Sequence, residues 1–227
     1  MARQRSTHVR AVVRFLAAVV AVAGALLIAD AVITVAWQEP ISAMIASREQ
    51  DRLQGQLAGL KNQSAADARS LNERDLRRRI AVLASRARAR AKTGRAIGTI
   101  RLPTLHRHYV MVQGTDTASL RKGPGHYPAT PFPGEHGTTA VAGHRTTYLA
   151  PFRTVDKLKK GDRIVADMPY GQILYAVEAT KVVKPTALWV TRRVDHDRIV
   201  LSACHPLYSA SHRIVVFARL VSVAPPV

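Results

Sequence analysis

The chain has 227 residues, with 34 Lys and Arg against 15 Asp and Glu, for a formal net charge of +19. It holds a single cysteine, which excludes an intramolecular disulfide and leaves the fold to stand on packing alone. The positive excess is spread along the chain, which favours polyanions in general without choosing among DNA, anionic lipid and acidic wall polymers.

Residues 1–14 read as a basic tail carrying Arg3, Arg5, Arg10 and Arg14. Residues 15–37, Phe15 to Trp37, carry one charge, Asp30. A helix of that length reaches about 35 Å, enough for a hydrocarbon core of about 30 Å. Arginines ahead of a first span hold that end in the cytoplasm, so a single-pass cell-membrane anchor with the rest of the chain outside is expected. Trp37 is placed at the outer interface, with Asp30 reaching toward it. Ala29-Asp-Ala31 loosely resembles a signal cleavage site, but the uncharged run before it is long for a signal core, and an uncleaved anchor is favoured. An outside location argues against nucleic acid as a partner.

Residues 38–95 read as a basic helical stalk. Leu53, Leu57 and Leu60, then Leu76, Ile80 and Leu83, recur at spacings of four and three, the helical period. The polar run Lys61-Asn-Gln-Ser64 predicts a break near residues 61–66. Arg77-Arg-Arg79 and Arg86-Ala-Arg-Ala-Arg90 are expected on solvated faces, where a basic helix could also rest on anionic headgroups.

From Ala96 the pattern turns to β. Short apolar runs are expected as strands over 96–102, 109–112, 138–142, 163–166, 171–183 (one bent strand or two), 198–203 and 213–223. Turn signals separate them, among them Lys122-Gly-Pro-Gly125, Pro131-Phe-Pro-Gly134, Lys160-Gly-Asp162 and Pro169-Tyr-Gly171. Pro151 to Leu158 and Thr115 to Arg121 are short helix candidates. Many short strands at this spacing predict an all-β barrel or sandwich over residues 96–227.

Cys204 ends one strand, Arg213 follows nine residues later on the next, and His144 lies just past the apolar run 140–142, behind a glycine. A thiol, an imidazole and a guanidinium on three strands make a coherent set. The thiolate attacks a carbonyl, the imidazole moves protons, and the guanidinium stabilises an oxyanion or holds the substrate backbone. A buried structural cysteine is the plainer alternative.

Leu201-Ser-Ala-Cys-His-Pro206 with Arg213 resembles the signature around the active-site cysteine of sortases. Ala142-Gly-His-Arg-Thr-Thr-Tyr148, Ala150-Pro-Phe152 and Leu158-x-x-Gly-Asp162 resemble the segment around the sortase histidine. The Gly123-Pro-Gly-His126 and Gly134-x-x-Gly137 stretches also fit, and the Cys-His-Pro and Gly-His-Arg-Thr forms resemble the class E subgroup of high-GC Gram-positive bacteria. The resemblance covers about residues 96–222. It implies a closed eight-stranded β-barrel with short helices, in a membrane-anchored cysteine transpeptidase on the outer face. The implied reaction cuts an LPxTG or, as in class E, LAxTG sorting motif between Thr and Gly. The product is held as a thioester on Cys204 and passed to an amine of the peptidoglycan precursor. His144 is then the acid/base and Arg213 the oxyanion or substrate-positioning residue. The chain departs from the family at Val200 and Ala203, where threonines are frequent; the absent hydroxyl beside the thiol bears on substrate hydrogen bonding.

The remaining candidates are weaker. His205 reads as loop structure rather than a second base. His126, His136 and His212 lack a supporting Cys or carboxylate cluster for metal, and Asp162, Asp167 and Glu178 are too dispersed for calcium, so no cofactor is expected. Tyr148 and Tyr208 either flank the cleft or pack in loops. Three other functions compete. A wall L,D-transpeptidase usually carries Ser-x-Gly-Cys, and a papain-like protease puts its Cys before its His. A membrane-tethered basic module binding anionic wall polymer or lipid would rely on the arginines of 69–90.

Overall fold

The structure, a computed structural model, describes the backbone of residues 2–36 and 40–226 and the side chains of 12–29 and 41–226. Trp37 and the side chains of Arg3, Arg5, Arg10 and Asp30 lie outside the described residues. The chain divides into two units, Met1–Pro40 and Ile41–Val227. In the first, helix α1 (Ala2–Ala36) includes the basic tail. Its window Val12–Ala29 has a mean hydropathy of 2.5 with nothing buried, long and apolar enough to cross a membrane.

The second unit opens with α2 (Pro40–Arg69) and α3 (Leu76–Arg90). Helix α2 runs straight through residues 61–66, where a break was expected. That stretch has no Gly or Pro, and its polar side chains do not stop a helix that is packed on either side. The break comes at residues 71–75. There the Ser70 hydroxyl bonds the Asp67 carbonyl, and the Asp75 carboxylate caps α3 by accepting from the Arg78 N–H at 2.8 Å.

These helices are not a solvated stalk. Leu53 and Leu57 of α2 are buried with Ala96, Val110 and Val112. Gln50 donates to the carbonyls of Val110 (3.0 Å) and Lys122 (2.7 Å) and accepts from the Val110 N–H at 2.7 Å. Ile80, Leu83 and Ala84 of α3 belong to the main core. Ile80 sits against Gly134 and Gly171, where an added Cβ would meet it at 2.7 and 2.8 Å. The α3 arginines are largely cross-links. Arg77 bonds Asp197 and the Gly134 carbonyl, Arg79 the Ala68 carbonyl, Arg88 Glu135 and Arg90 Asp67. Residue 95 is therefore not a packing boundary: the compact unit begins at Ile41.

Eight strands follow: β1 (Ala96–Leu102), β2 (Arg107–Gln113), β3 (Gly125–His126), β4 (Thr138–Ala142), β5 (Arg163–Met168), β6 (Gly171–Val183), β7 (Arg198–His205) and β8 (His212–Ala224). They close a barrel in the order β1-β2-β3-β4-β7-β8-β6-β5. The β2–β3 and β4–β7 pairs are parallel and the others antiparallel. β6 is one strand, with register shifts against β8 at Leu174/Tyr175 and Val177/Ala179 that let it bend. β3, two residues long, falls where only a turn was expected. It completes the circle because Gly125 lets the backbone approach the Gly114 carbonyl, which a Cβ would meet at 2.1 Å. The helix expected over 151–158 shrinks to one 3-10 turn, Val155–Lys157, and the 115–121 candidate to α4 (Thr117–Leu120). A 3-10 turn in the β6–β7 connection, Leu188–Thr191, had no signal that was read.

Alternation sorts the strands into two faces. Val141 of β4, Ile199, Leu201 and Ala203 of β7, and Ile214, Val216 and Ala218 of β8 fill the interior. Ala140, Val200, Val215 and Phe217 form an outer patch.

Candidate active site

Cys204 and Arg213 are register partners in the β7–β8 pair. Both carry the parity of Val200, Val215 and Phe217, so both side chains stand on the outer face. Directly opposed residues in an antiparallel pair have Cα atoms about 4.5–5.5 Å apart, so the two side chains are immediate neighbours. β4 lies on the other side of β7. Ala142 pairs with Ser202, and the Gly143 N–H donates to the Ser202 carbonyl at 3.0 Å. His144 lies two residues past Ala142 and Cys204 two past Ser202, so both follow the last pair of the parallel ladder by the same number of residues. Thiol and guanidinium thus adjoin on the outer face, and the segment carrying His144 leaves β4 on the other side of β7.

Gly143 makes this exit tight: a Cβ there would meet the Phe152 ring at 2.5 Å. Beyond His144 the chain holds three consecutive left-handed residues, Tyr148, Leu149 and Ala150, at φ 50, 65 and 41. Non-glycine residues take that conformation only under external restraint. The restraints are visible. Phe152 N–H donates to the His144 carbonyl (3.0 Å), Tyr109 Oη to the Leu149 carbonyl (3.4 Å), and Tyr148 N–H to Ser42 Oγ of α2 (3.3 Å).

Burial and then the positive charge of Arg121 lower the pKa of His144. Its Nε2 is buried and makes no hydrogen bond among the described residues. The Tyr148 ring lies 5.3 Å from the imidazole, and the Arg121 guanidinium 5.7 Å from that ring. Cys204 is half-buried. Arg213 Nη1 donates to the carbonyls of Ala210 and His212, each at 2.9 Å, so its own hairpin holds the guanidinium at the rim.

The β6–β7 connection covers the outer patch next to Cys204. Val190 and Ala187 pack on Ala140, Val200, Val215 and Phe217, and Trp189 stacks on Phe217 at 6.0 Å and 11°. Trp189 and Leu188 remain 42% and 78% exposed, an apolar ledge over the same outer face of β7 and β8. Val200 faces this patch. Ala203 points the other way, into the barrel core, so a hydroxyl there would meet the interior rather than a peptide lying beside the thiol.

The other candidates disperse. His126 is fully buried between Gln113, Thr130 and the Pro131 carbonyl; His136 contacts Asp197; His212 contacts Ser211. Asp162 caps a turn at Lys159 N–H, Asp167 pairs with Arg101, and Glu178 with Arg219. Tyr148 flanks His144, while Tyr208 lies at Arg153, 58% exposed. Two participants were missed: Arg121, whose charge has no sequence link to His144, and Arg145, which was read only as part of a motif.

The sortase-domain family model matches residues 100–221. Sortase D of Bacillus subtilis (strain 168) is 28% identical over 178 residues, spanning 77% of this chain and 84% of that one. The structure of sortase E from Streptomyces avermitilis aligns with a TM-score of 0.55 at 32% identity, covering 59% of this chain and 93% of that one. Sortase E1 from Streptomyces coelicolor, solved with a tripeptide in its active site, aligns with a TM-score of 0.56 at 25% identity, covering 60% and 94%. The fold and these likenesses define a β-barrel enzyme of the transpeptidase type. The chain belongs to the sortase family, cysteine transpeptidases acting on proteins that carry a sorting motif. Relatives named sortase D and sortase E both match it.

Proposed function

We propose that this protein is a membrane-anchored sortase that cuts an LPxTG- or LAxTG-type motif between Thr and Gly through Cys204. The observation that carries the reading is the Cys204–Arg213 register pair, with His144 two residues past the adjoining end of β4. Cys204 Sγ bonds the threonine carbonyl carbon as the thiol proton passes to His144. The tetrahedral oxyanion accepts from the Arg213 guanidinium. The C–N bond to glycine breaks, and His144 gives its proton to the departing amine, leaving a thioester on Cys204. An incoming amine, in the cell a peptidoglycan-precursor amine, attacks the thioester. His144 takes the amine's proton and returns one to the leaving Sγ, restoring the enzyme.

The apolar window Val12–Ala29 supports the anchor, and the arginines before it support a cytoplasmic N-terminus with the catalytic unit outside. The rival basic-module reading has fewer free arginines to draw on than the sequence suggested, because Arg77, Arg79, Arg88 and Arg90 are engaged within the fold. The test is incubation of the 41–227 unit with LAxTG and LPxTG peptides and a small amine. Exchange that needs Cys204 upholds the reading. Absence of cleavage of both peptides, or unchanged exchange in Cys204→Ala, overturns it.

A further inference from the structure

Arg145, next in sequence to His144, is 3% exposed. Its contacts place it between the loop that follows His144 and the end of β7. Its guanidinium makes four hydrogen bonds and one ion-pair contact. Nε and Nη2 donate to the Arg153 carbonyl (3.2 and 3.0 Å), and Nη2 reaches Asp156 Oδ1 (2.9 Å). Nη1 donates to the Cys204 carbonyl (3.5 Å) and to His205 Nδ1 (3.2 Å). A guanidinium has donors and no acceptor, so in this contact His205 offers the lone pair of Nδ1. His205 has the inward parity of Ala203, and this contact gives it a structural reason to stand beside the thiol.

We infer that Arg145 is a positioning residue: a buried clamp that ties the loop carrying His144 to the strand end carrying Cys204. The two reacting groups come from segments 60 residues apart in sequence that share only the short parallel β4–β7 ladder, which ends at Ala142–Ser202. Past that ladder one backbone bond follows, from the Gly143 N–H to the Ser202 carbonyl, and among the described residues none joins His144 to Cys204. The Arg145 fork does, because it is covalently one residue from His144 and bonds the carbonyl of Cys204 itself. The Arg153 carbonyl and the Asp156 carboxylate hold Nε and Nη2, an arrangement that a lysine cannot match in a fixed plane.

The inference rests on the transpeptidase reading for its purpose, but its main test needs no peptide substrate. In the full chain, the rate of Cys204 alkylation by iodoacetamide is measured against pH. Wild type is expected to show an inflection that His144→Ala removes. Arg145→Lys, which keeps the charge, is expected to fold and yet to lose that inflection, as His144→Ala does. With an LAxTG peptide its kcat should fall about 100-fold with KM within about threefold, the scale of a small misplacement of reacting groups. A folded Arg145→Lys with the wild-type profile and kcat overturns the proposal. Should that variant not fold, the pair Asp156→Asn and His205→Gln decides. Each removes one tooth of the clamp, and a displaced inflection in either upholds the proposal while wild-type profiles in both overturn it. Alkylation with a His144-dependent inflection but no peptide transfer by wild type would sink the transpeptidase reading and leave the clamp standing.

Discussion

Arg213 stands directly across the β7–β8 pair from Cys204, both side chains on the outer face of the barrel, with the guanidinium held at the rim by the carbonyls of Ala210 and His212. A cation in that place can donate to an oxygen developing charge on a carbonyl bound to the thiol. Replacing Arg213 with Ala should lower kcat for peptide exchange by about 100- to 1,000-fold, the usual loss for an oxyanion donor. Iodoacetamide should still modify Cys204, since the thiol itself stays in place. Steady-state kinetics on Arg213→Ala and Arg213→Lys check this, with Lys expected to recover only part of the loss because it cannot present two donors in one plane.

The Arg121 charge adds to burial in holding the His144 pKa below the ordinary imidazole value of 6.5. Arg121→Gln removes the charge and leaves most of the burial. The His144 titration, followed by NMR of the ring, should move up in pH. The acid limb of peptide exchange should move with it, because protonated imidazole cannot accept the thiol proton. An unmoved midpoint would separate Arg121 from the site.

Residues 41–95 are part of the folded unit, so a protein starting near residue 95 loses Ile80, Leu83 and the Gln50 and Leu53 contacts together. It should be markedly less stable than one starting at Ile41. Ile80→Ala alone should cost about 2–5 kcal/mol, the range for emptying a buried aliphatic site. Urea denaturation of the three proteins checks both statements.

His126 is fully buried, and burial chiefly pushes its pKa down to about 4 from 6.5. A lowered base pKa means that the unfolded chain takes the proton first. Stability is intact above about pH 6.5 and falls as pH drops toward about 4, by roughly 3 kcal/mol in all. His126→Gln should flatten that part of the pH–stability curve while lowering stability at pH 7. Denaturation at pH 7, 5.5 and 4.5 measures the slope.

Most strands were legible because their signals are local, while closure into an eight-stranded barrel came from the resemblance to sortases. Alternation marks β1, β4, β6, β7 and β8, and Cys204, His144 and Arg213 each sit at a run's end. What escaped depends on partners far along the chain. Two residues at Gly125–His126 carry no strand period, and they become β3 only because β2 and β4 bracket them. The leucines of α2 and α3 were seen, but nothing local says that their face meets Ala96, Val110 or the barrel core rather than another helix. The arginines looked solvated because their acceptors, Asp197, Glu135 and the Gly134 carbonyl, lie some 50 to 120 residues away. Arg145 was hidden by its neighbour, His144.

The most direct measurement is mass spectrometry of the 41–227 unit mixed with an LAxTG peptide and quenched in acid before an amine is added. The expected result is a mass increase equal to the peptide up to its threonine, mapped to Cys204, released by amine and absent in Cys204→Ala. Peptide cleavage that proceeds with Cys204 unmodified, or an acyl group found on another residue, would contradict the account.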